Sequence, residues 1–401
     1  MATRETRGRA VGVGMFFFTH MRLVVALALA GLLAGCGSSG PRPEVRAPVP
    51  KAAGGPVIEV SPVVVSPYTE ADLVQEFERA KALLLGGKHR EAAEVFDKLE
   101  RHAPDGEIGA ASLYNAAVGY EALGEREASA TRLRELVRRF PGHALERSAL
   151  FRLGRALAYL ERWSELVAVA EKLIARQDLA VLEVIEARGA RALALVEQDL
   201  VEEAAREISV ARDLVERERL GEAGKPPIEL AQLWFAVGEV RRKRSEAIKF
   251  EPMPPNFAET LEKRCQGLLD AQGAYTEAMR SLDAHWSAMA GYRVGQLYQE
   301  LHRDVMRVPP PAAADTLRKK QLFEGAMRLR YRVLLEKGLK MMEGTVRLGD
   351  RTGEASAWIG RAREAQRALE LALADEKAAL ARLPFTEDEL REALEALKKK
   401  P

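Results

Sequence analysis

The side chains best suited to chemistry in this chain are few and stand apart. Past residue 36, histidine occurs at His89, His102, His143, His285 and His302. None has a second histidine four residues away, the spacing that sets two imidazoles on one helix face to hold zinc. There is no H-E-x-x-H word, and Cys36 and Cys265 are the only cysteines. The glycine patterns that cradle phosphates or set a nucleophile on a sharp turn are missing as well. Many glutamates fall four residues from lysine or arginine, where pairing on a helix surface accounts for them. Catalysis, a metal, a cofactor and a small-molecule substrate are therefore not expected. Cys265 sits in a helical stretch and reads as a small buried apolar residue, with a nucleophile as the less favoured alternative.

Cys36 has a different setting. Arg22 precedes an uncharged run from Leu23 to Leu33, too short for a bilayer span that needs about 20 apolar residues, so the run reads as the core of a signal peptide. The word Leu33-Ala34-Gly35-Cys36, followed by Gly37-Ser38-Ser39-Gly40, resembles the lipobox of bacterial lipoproteins. That resemblance implies cleavage before Cys36, a diacylglyceryl group on its sulfur and acylation of the freed amine. With Gly37 rather than aspartate after the cysteine, it also implies the periplasmic face of the outer membrane. The plainer alternative is an ordinary cysteine closing a secretory or short membrane segment. Residues 1–35 form the signal segment, with Arg4, Arg7 and Arg9 in an extended leader or upstream of a later start at Met15 or Met21.

After that segment roughly 365 residues remain, enough for several domains at ~100–200 residues each. A charged fraction of 30% with a net charge of +2 fits a helical protein with solvated outer faces and gives no reason to expect nucleic acid. With Cys36 lipidated, Cys265 has no partner for a disulfide, so packing alone must hold the fold. Residues 36–68 carry the lipid site and then Pro41, Pro43, Pro48, Pro50, Pro56, Pro62 and Pro67 with Gly54 and Gly55. This predicts an extended tether, able to reach about 100 Å at ~3.1 Å per residue.

Thr69-Glu70-Ala71-Asp72 reads as a capping box that opens the first helix. A repeat follows. Small residues recur at Ala80, Ala117, Gly154 and Ala192, at spacings of 37, 37 and 38. Twelve residues after each come Ala92, Ser129, Leu166 and Ala204, and four further on Phe96, Leu133, Ala170 and Ile208. Gly86-Gly87, Gly124, Pro104-Asp105-Gly106 and Pro141-Gly142 punctuate the early units. Residues 69–216 thus predict four helix-turn-helix units, each burying its flank against the next. With the turn word Gly87-Lys88-His89-Arg90-Glu91-Ala92 and the end word Phe140-Pro141-Gly142-His143-Ala144, the pattern resembles tetratricopeptide repeats, whose usual period is about 34 residues. The resemblance implies an all-α fold, a right-handed α-solenoid with a concave groove.

In residues 217–401 the pattern loosens. Leu233-Trp234-Phe235-Ala236-Val237-Gly238 and Tyr292-Arg293-Val294-Gly295-Gln296-Leu297-Tyr298 repeat the first-helix pattern at wider spacing. Long helices are predicted over 256–283, 314–345 and 354–382, and a capping box at Thr386-Glu387-Asp388-Glu389 opens a last helix that caps the stack.

Three residues before each small position stands a column: Phe77, Tyr114, Phe151, Gly189, Phe235 and Tyr292. In tetratricopeptide domains this station tends to face the groove. The aromatics, with Arg155 and Arg242 nearby, are candidates for a ladder that takes a peptide or helix. The alternative is that they pack between successive first helices. The run Arg241-Arg242-Lys243-Arg244 is either a contact for anionic partners or a solvated face. The resemblances together imply a lipid-anchored scaffold for other envelope proteins, with a wall-acting enzyme or a passive spacer as rivals.

Overall fold

The computed structural model describes residues 68–398 apart from 223 and 225. The signal segment, Cys36 and nearly all of the tether lie outside the described residues. Among those described, all regular structure is helical: α1 (Glu70–Leu85), α2 (His89–His102), α3 (Gly106–Ala122), α4 (Arg126–Arg139), α5 (Glu146–Tyr159), α6 (Trp163–Ile174), α7 (Val181–Glu197) and α8 (Val201–Arg217) come first. Longer helices follow: α9 (Leu230–Glu246), α10 (Phe257–Arg280), α11 (Ala284–Met306), α12 (Leu317–Thr352), α13 (Ala357–Ala381) and α14 (Glu387–Lys398).

The first eight helices form four hairpins with the form and packing positions that the repeat implies. The predicted capping box is present, with the Asp72 amide donating to Thr69 Oγ1 at 3.2 Å and the Thr69 amide donating to Asp72 Oδ2 at 2.9 Å. Ala80, Ala117, Gly154 and Ala192 are buried, as are Ala92, Ser129, Leu166 and Ala204 and, one turn on, Phe96, Leu133, Ala170 and Ile208; at the third unit a Cβ on Gly154 would stand 3.7 Å from Leu166. Each hairpin turn needs one left-handed residue, at Gly87, Gly124, Glu161 and Asp199, with φ of 78°, 76°, 58° and 63°. Glycine meets that need without steric cost; Glu161 and Asp199 do not.

The second half packs on other terms. α9 and α10 lie so close that a Cβ at Gly238 would stand 2.5 Å from the Tyr275 ring. α11 and α12 meet through Gly291 and Gly295, whose faces are filled by Thr345 and Met342. One hydrophobic core runs from α3 to α13, a smaller one closes the first hairpin against α3, and a third joins α12 to α13 through Leu335, Met342, Ala362 and Leu369. The corner between α12 and α13 returns to the third hairpin: Arg361 donates to both carboxylate oxygens of Glu161 at 2.8 and 3.1 Å, and Tyr159 reaches Glu354 at 3.4 Å. The final capping box holds as well, with the Thr386 amide on Glu389 Oε2 at 2.7 Å.

Candidate functional site

The first helices of the hairpins share one face, and on it a cavity of about 210 Å³ is walled by α3, α5, α7, α9 and the start of α11. Three guanidinium groups line it, and each is already held. Arg152 donates to Glu121 Oε2 at 2.6 Å and to the Tyr114 hydroxyl at 2.9 Å. Arg155 grips Glu186 with two bonds of 2.6 and 2.8 Å. Arg126 stands 3.7 Å from Glu121 and lies over the Tyr159 ring, whose stacking partner is the His285 ring at 4.3 Å. The Arg155 guanidinium, fixed by bidentate pairing, and that of Arg152, held at two points, lose little freedom when they meet a further group, so this part of the wall is ordered in advance. The volume equals that of about seven waters, room for one or two side chains of an incoming segment and not for a whole helix.

Two of the predicted groove residues, Tyr114 and Arg155, belong to this face; half of the Arg155 side chain is exposed, at 49%. The remaining candidates lie elsewhere. Phe77 is half-buried and sits edge-on to Phe96 inside its own hairpin. Phe151 is buried in the core. Phe235 is fully buried between Tyr275 and Trp286. Tyr292 is covered by Trp358 from α13. Gly189 lies against the Leu233 backbone, where α7 meets α9. A continuous aromatic ladder is therefore corrected: Phe77 packs within its own hairpin, Phe151 is buried in the core, and Phe235 and Tyr292 are covered by rings of α11 and α13, so burial of large rings dominates at that station.

Arg242 is a second correction. It is buried, donating to Glu239 Oε2 at 2.6 Å and to Glu246 at 2.7 Å. The rest of the basic run is spent locally: Lys243 pairs with Asp199, Arg244 with Glu202, and Arg241 donates to the Asp270 carbonyl. Around Glu239 a buried network has formed that the sequence reading did not isolate. Tyr275 donates to Glu239 Oε1 at 2.7 Å, Arg293 lies 2.8 Å from the same oxygen, and Arg293 also donates to Glu197 at 3.2 Å. Burial pushes the Glu239 carboxyl up, but Arg293 and Arg242 outweigh it and hold the group at about 2. Burial and the charge of Glu239 push Glu197 the other way, upward. The available signal was a lone carboxylate after the apolar word Leu233 to Gly238.

Sequence reasoning also missed Arg126, Arg152, Tyr159 and Glu186. Their signal was a complementary pair across neighbouring units: Glu121 with Arg152 and Arg155 with Glu186 are both 31 residues apart. Cys265 is half-buried, and burial raises its thiol, the direction that disfavours a nucleophilic thiolate. Among the described residues no group of three metal-binding side chains is close enough to share an ion, and no helix is long and apolar enough to cross a membrane.

No protein-family model and no curated protein matches the chain. Among solved structures it is similar to a tetratricopeptide repeat protein from Parabacteroides merdae, with 10% identity and a TM-score of 0.41 over 74% of this chain and 98% of that one. It is also similar to the human IFIT1 dimer with PPP-AAAA, with 13% identity and a TM-score of 0.35 over 80% and 73%. A third likeness is the TPR domain of P58(IPK), at 12% identity and a TM-score of 0.15 over 76% and 99%. At these scores none of them carries an argument about chemistry, and the all-α repeat fold stands on the helices and register described above.

Proposed function

We propose that this protein is an interaction scaffold whose first-helix face, around α3, α5 and α7, takes an anchoring segment of a partner protein. The observation that carries the reading is the wall of Arg126, Arg152 and Arg155, ordered by Glu121 and Glu186 around a cavity sized for a side chain. Binding energy at protein interfaces concentrates where a few side chains enter such preformed pockets. We further propose that the scaffold is lipid-anchored through Cys36 at the periplasmic face of the outer membrane. There it serves other envelope proteins in a machine for motility, secretion, outer-membrane assembly or cell-wall coordination. The lipobox-like word and the Pro-rich tether support that setting. The reading calls for no catalytic step.

A photo-crosslinking residue at Tyr114 tests the face, with one at the exposed Val210 of α8 as control. The expected result is a discrete adduct with an envelope protein from position 114 and none from 210; adducts of equal strength from both, or none from 114, contradict the proposal. Cys36→Ser tests the anchor. Three acyl chains hold a protein far more firmly than one, whose binding constant is only ~10⁴ M⁻¹. The variant is therefore expected to leave the detergent phase, and its retention there overturns the anchor.

A further inference from the structure

α12 is the most unevenly charged helix of the stack. It carries ten lysines and arginines against four carboxylates, while α11 and α13 beside it are balanced. Five of its cations, Arg330, Lys337, Lys340, Arg347 and Arg351, share one exposed face at helical spacing. That face runs about 30 Å at 1.5 Å per residue, and the acids along its edge are engaged: Glu336 with Arg332, Glu343 with Arg347 and Asp350 with Arg363. Arg330, Lys337, Lys340 and Arg351 form no ion pair among the described residues, although Lys337 lies over the Tyr298 ring and Arg330 over that of Tyr331, and Arg347 reaches Glu343, at 3.7 Å. Apolar surface accompanies the charge: Val333 is 44% exposed, and a shallow depression is lined by Gly344, Leu348, Arg347 and Arg351 together with Asp350, whose charge is taken by Arg363.

An adjoining strip of α12 is already covered at the helix's other end. α14 packs against the first part of α12, setting Leu390 against Gly325 and Glu389 3.9 Å from Arg318. α14 opens with Glu387, Asp388 and Glu389, so the chain's own covering element is an acidic amphipathic helix. Beyond α14 the basic face continues uncovered.

We propose that this remaining face of α12, from Arg330 to Arg351, docks an acidic amphipathic helix of a partner protein alongside α14. The partner's carboxylates meet the five cations, and its apolar residues pack on Val333 and into the depression at Gly344. A planar anionic surface fits less well, because the positive strip is one helix wide and the flanking helices are neutral in balance. This inference rests on the scaffold reading but concerns a different face. Crosslinking at Tyr114 is blind to it, so each idea fails independently of the other.

The test uses a synthetic helical peptide of 21 residues with glutamate and leucine at the spacing of α14, a glutamine-for-glutamate version, and vesicles containing phosphatidylglycerol. The triple variant K337E/K340E/R347E changes exposed side chains only, and its circular dichroism melt checks that it folds. The acidic peptide is expected to bind the wild type, at least tenfold more weakly at 0.5 M salt and at least tenfold more weakly to the triple variant, with no binding of the glutamine peptide. Equal affinity for the folded triple variant, equal binding of the two peptides, or vesicle binding that replaces peptide binding overturns the proposal.

Discussion

The first two hairpins and the next two are built on one plan and differ at one station. Where α1–α2 and α3–α4 turn through Gly87 and Gly124, α5–α6 and α7–α8 turn through Glu161 and Asp199 in the same left-handed conformation. A side chain there costs roughly 1–2 kcal/mol. Both carboxylates are used: Glu161 holds Arg361 of α13, and Asp199 holds Lys243 of α9. The early hairpins, with glycine, receive no such visitor and bind one another by pairs one unit apart, such as Arg132 with Asp97 and Arg139 with Glu100. The acidic turns thus mark where the stack stops being a simple repeat and becomes the seat of the helices that return to it.

The sharpest difference in energy between the halves lies at Glu239. Glu239→Gln leaves Arg242 and Arg293 buried without their shared carboxylate, and losing one partner of a buried pair costs about 3–5 kcal/mol. Thermal melting is expected to fall steeply, with α9 to α11 affected first. A cost below about 1 kcal/mol means that the network is not what fixes the second half.

Acid should separate the halves in the same sense. Glu239 is held at about 2, and so is Glu354, by the His285 ring 3.7 Å away and its bonds with Ser356, despite partial burial. A lowered carboxyl contributes stability that is complete above its unfolded value near 4.5 and is lost as pH falls towards 2, at about 1.4 kcal/mol per unit. Glu197, raised in the fold, works in the opposite direction: its protonation relieves a cost as pH falls, and this offsets part of the loss near its ordinary value. Between pH 5 and 2.5, hydrogen-exchange protection, taken relative to the intrinsic rate at each pH, is therefore expected to fall in α9, α11 and the α12–α13 corner before α1–α4. Uniform loss contradicts the division.

A smaller effect is expected in the early hairpins. Asp97→Asn weakens its pairing with Arg132 and its bond from Tyr120; both contacts are part-buried, but the Arg132 side chain keeps 29% of its surface in solvent. Such pairs contribute about 0–1 kcal/mol, so melting should shift by a few degrees at most. A larger loss makes the early contacts more than local ties.

Much of this organisation was legible in the sequence. The four hairpins and both capping boxes followed from spacing and residue type, because a hairpin repeat writes its packing as small and large residues at fixed intervals. The ladder of aromatics was not legible as drawn. Phe235 and Tyr292 have the right station, but whether that station faces a groove depends on what packs over it, and the rings that cover them, Trp286 and Trp358, come from helices later in the chain. Arg242 failed for the same reason: it stands in a basic run, while its burial is set by Glu239 and by α10 and α11. The wall of the cavity rests on pairs that only a comparison of neighbouring units reveals.

The claim that acidic turns seat the returning helices is tested most directly by Glu161→Gly. Glycine relieves the left-handed backbone while the pair with Arg361 is lost, so overall melting should stay within about 1 kcal/mol of the parent. Native-state hydrogen exchange reads the rest. Amides in the first two turns of α13 are expected to exchange about fivefold faster with those of α1–α4 unchanged; unaltered protection in α13 would contradict the account.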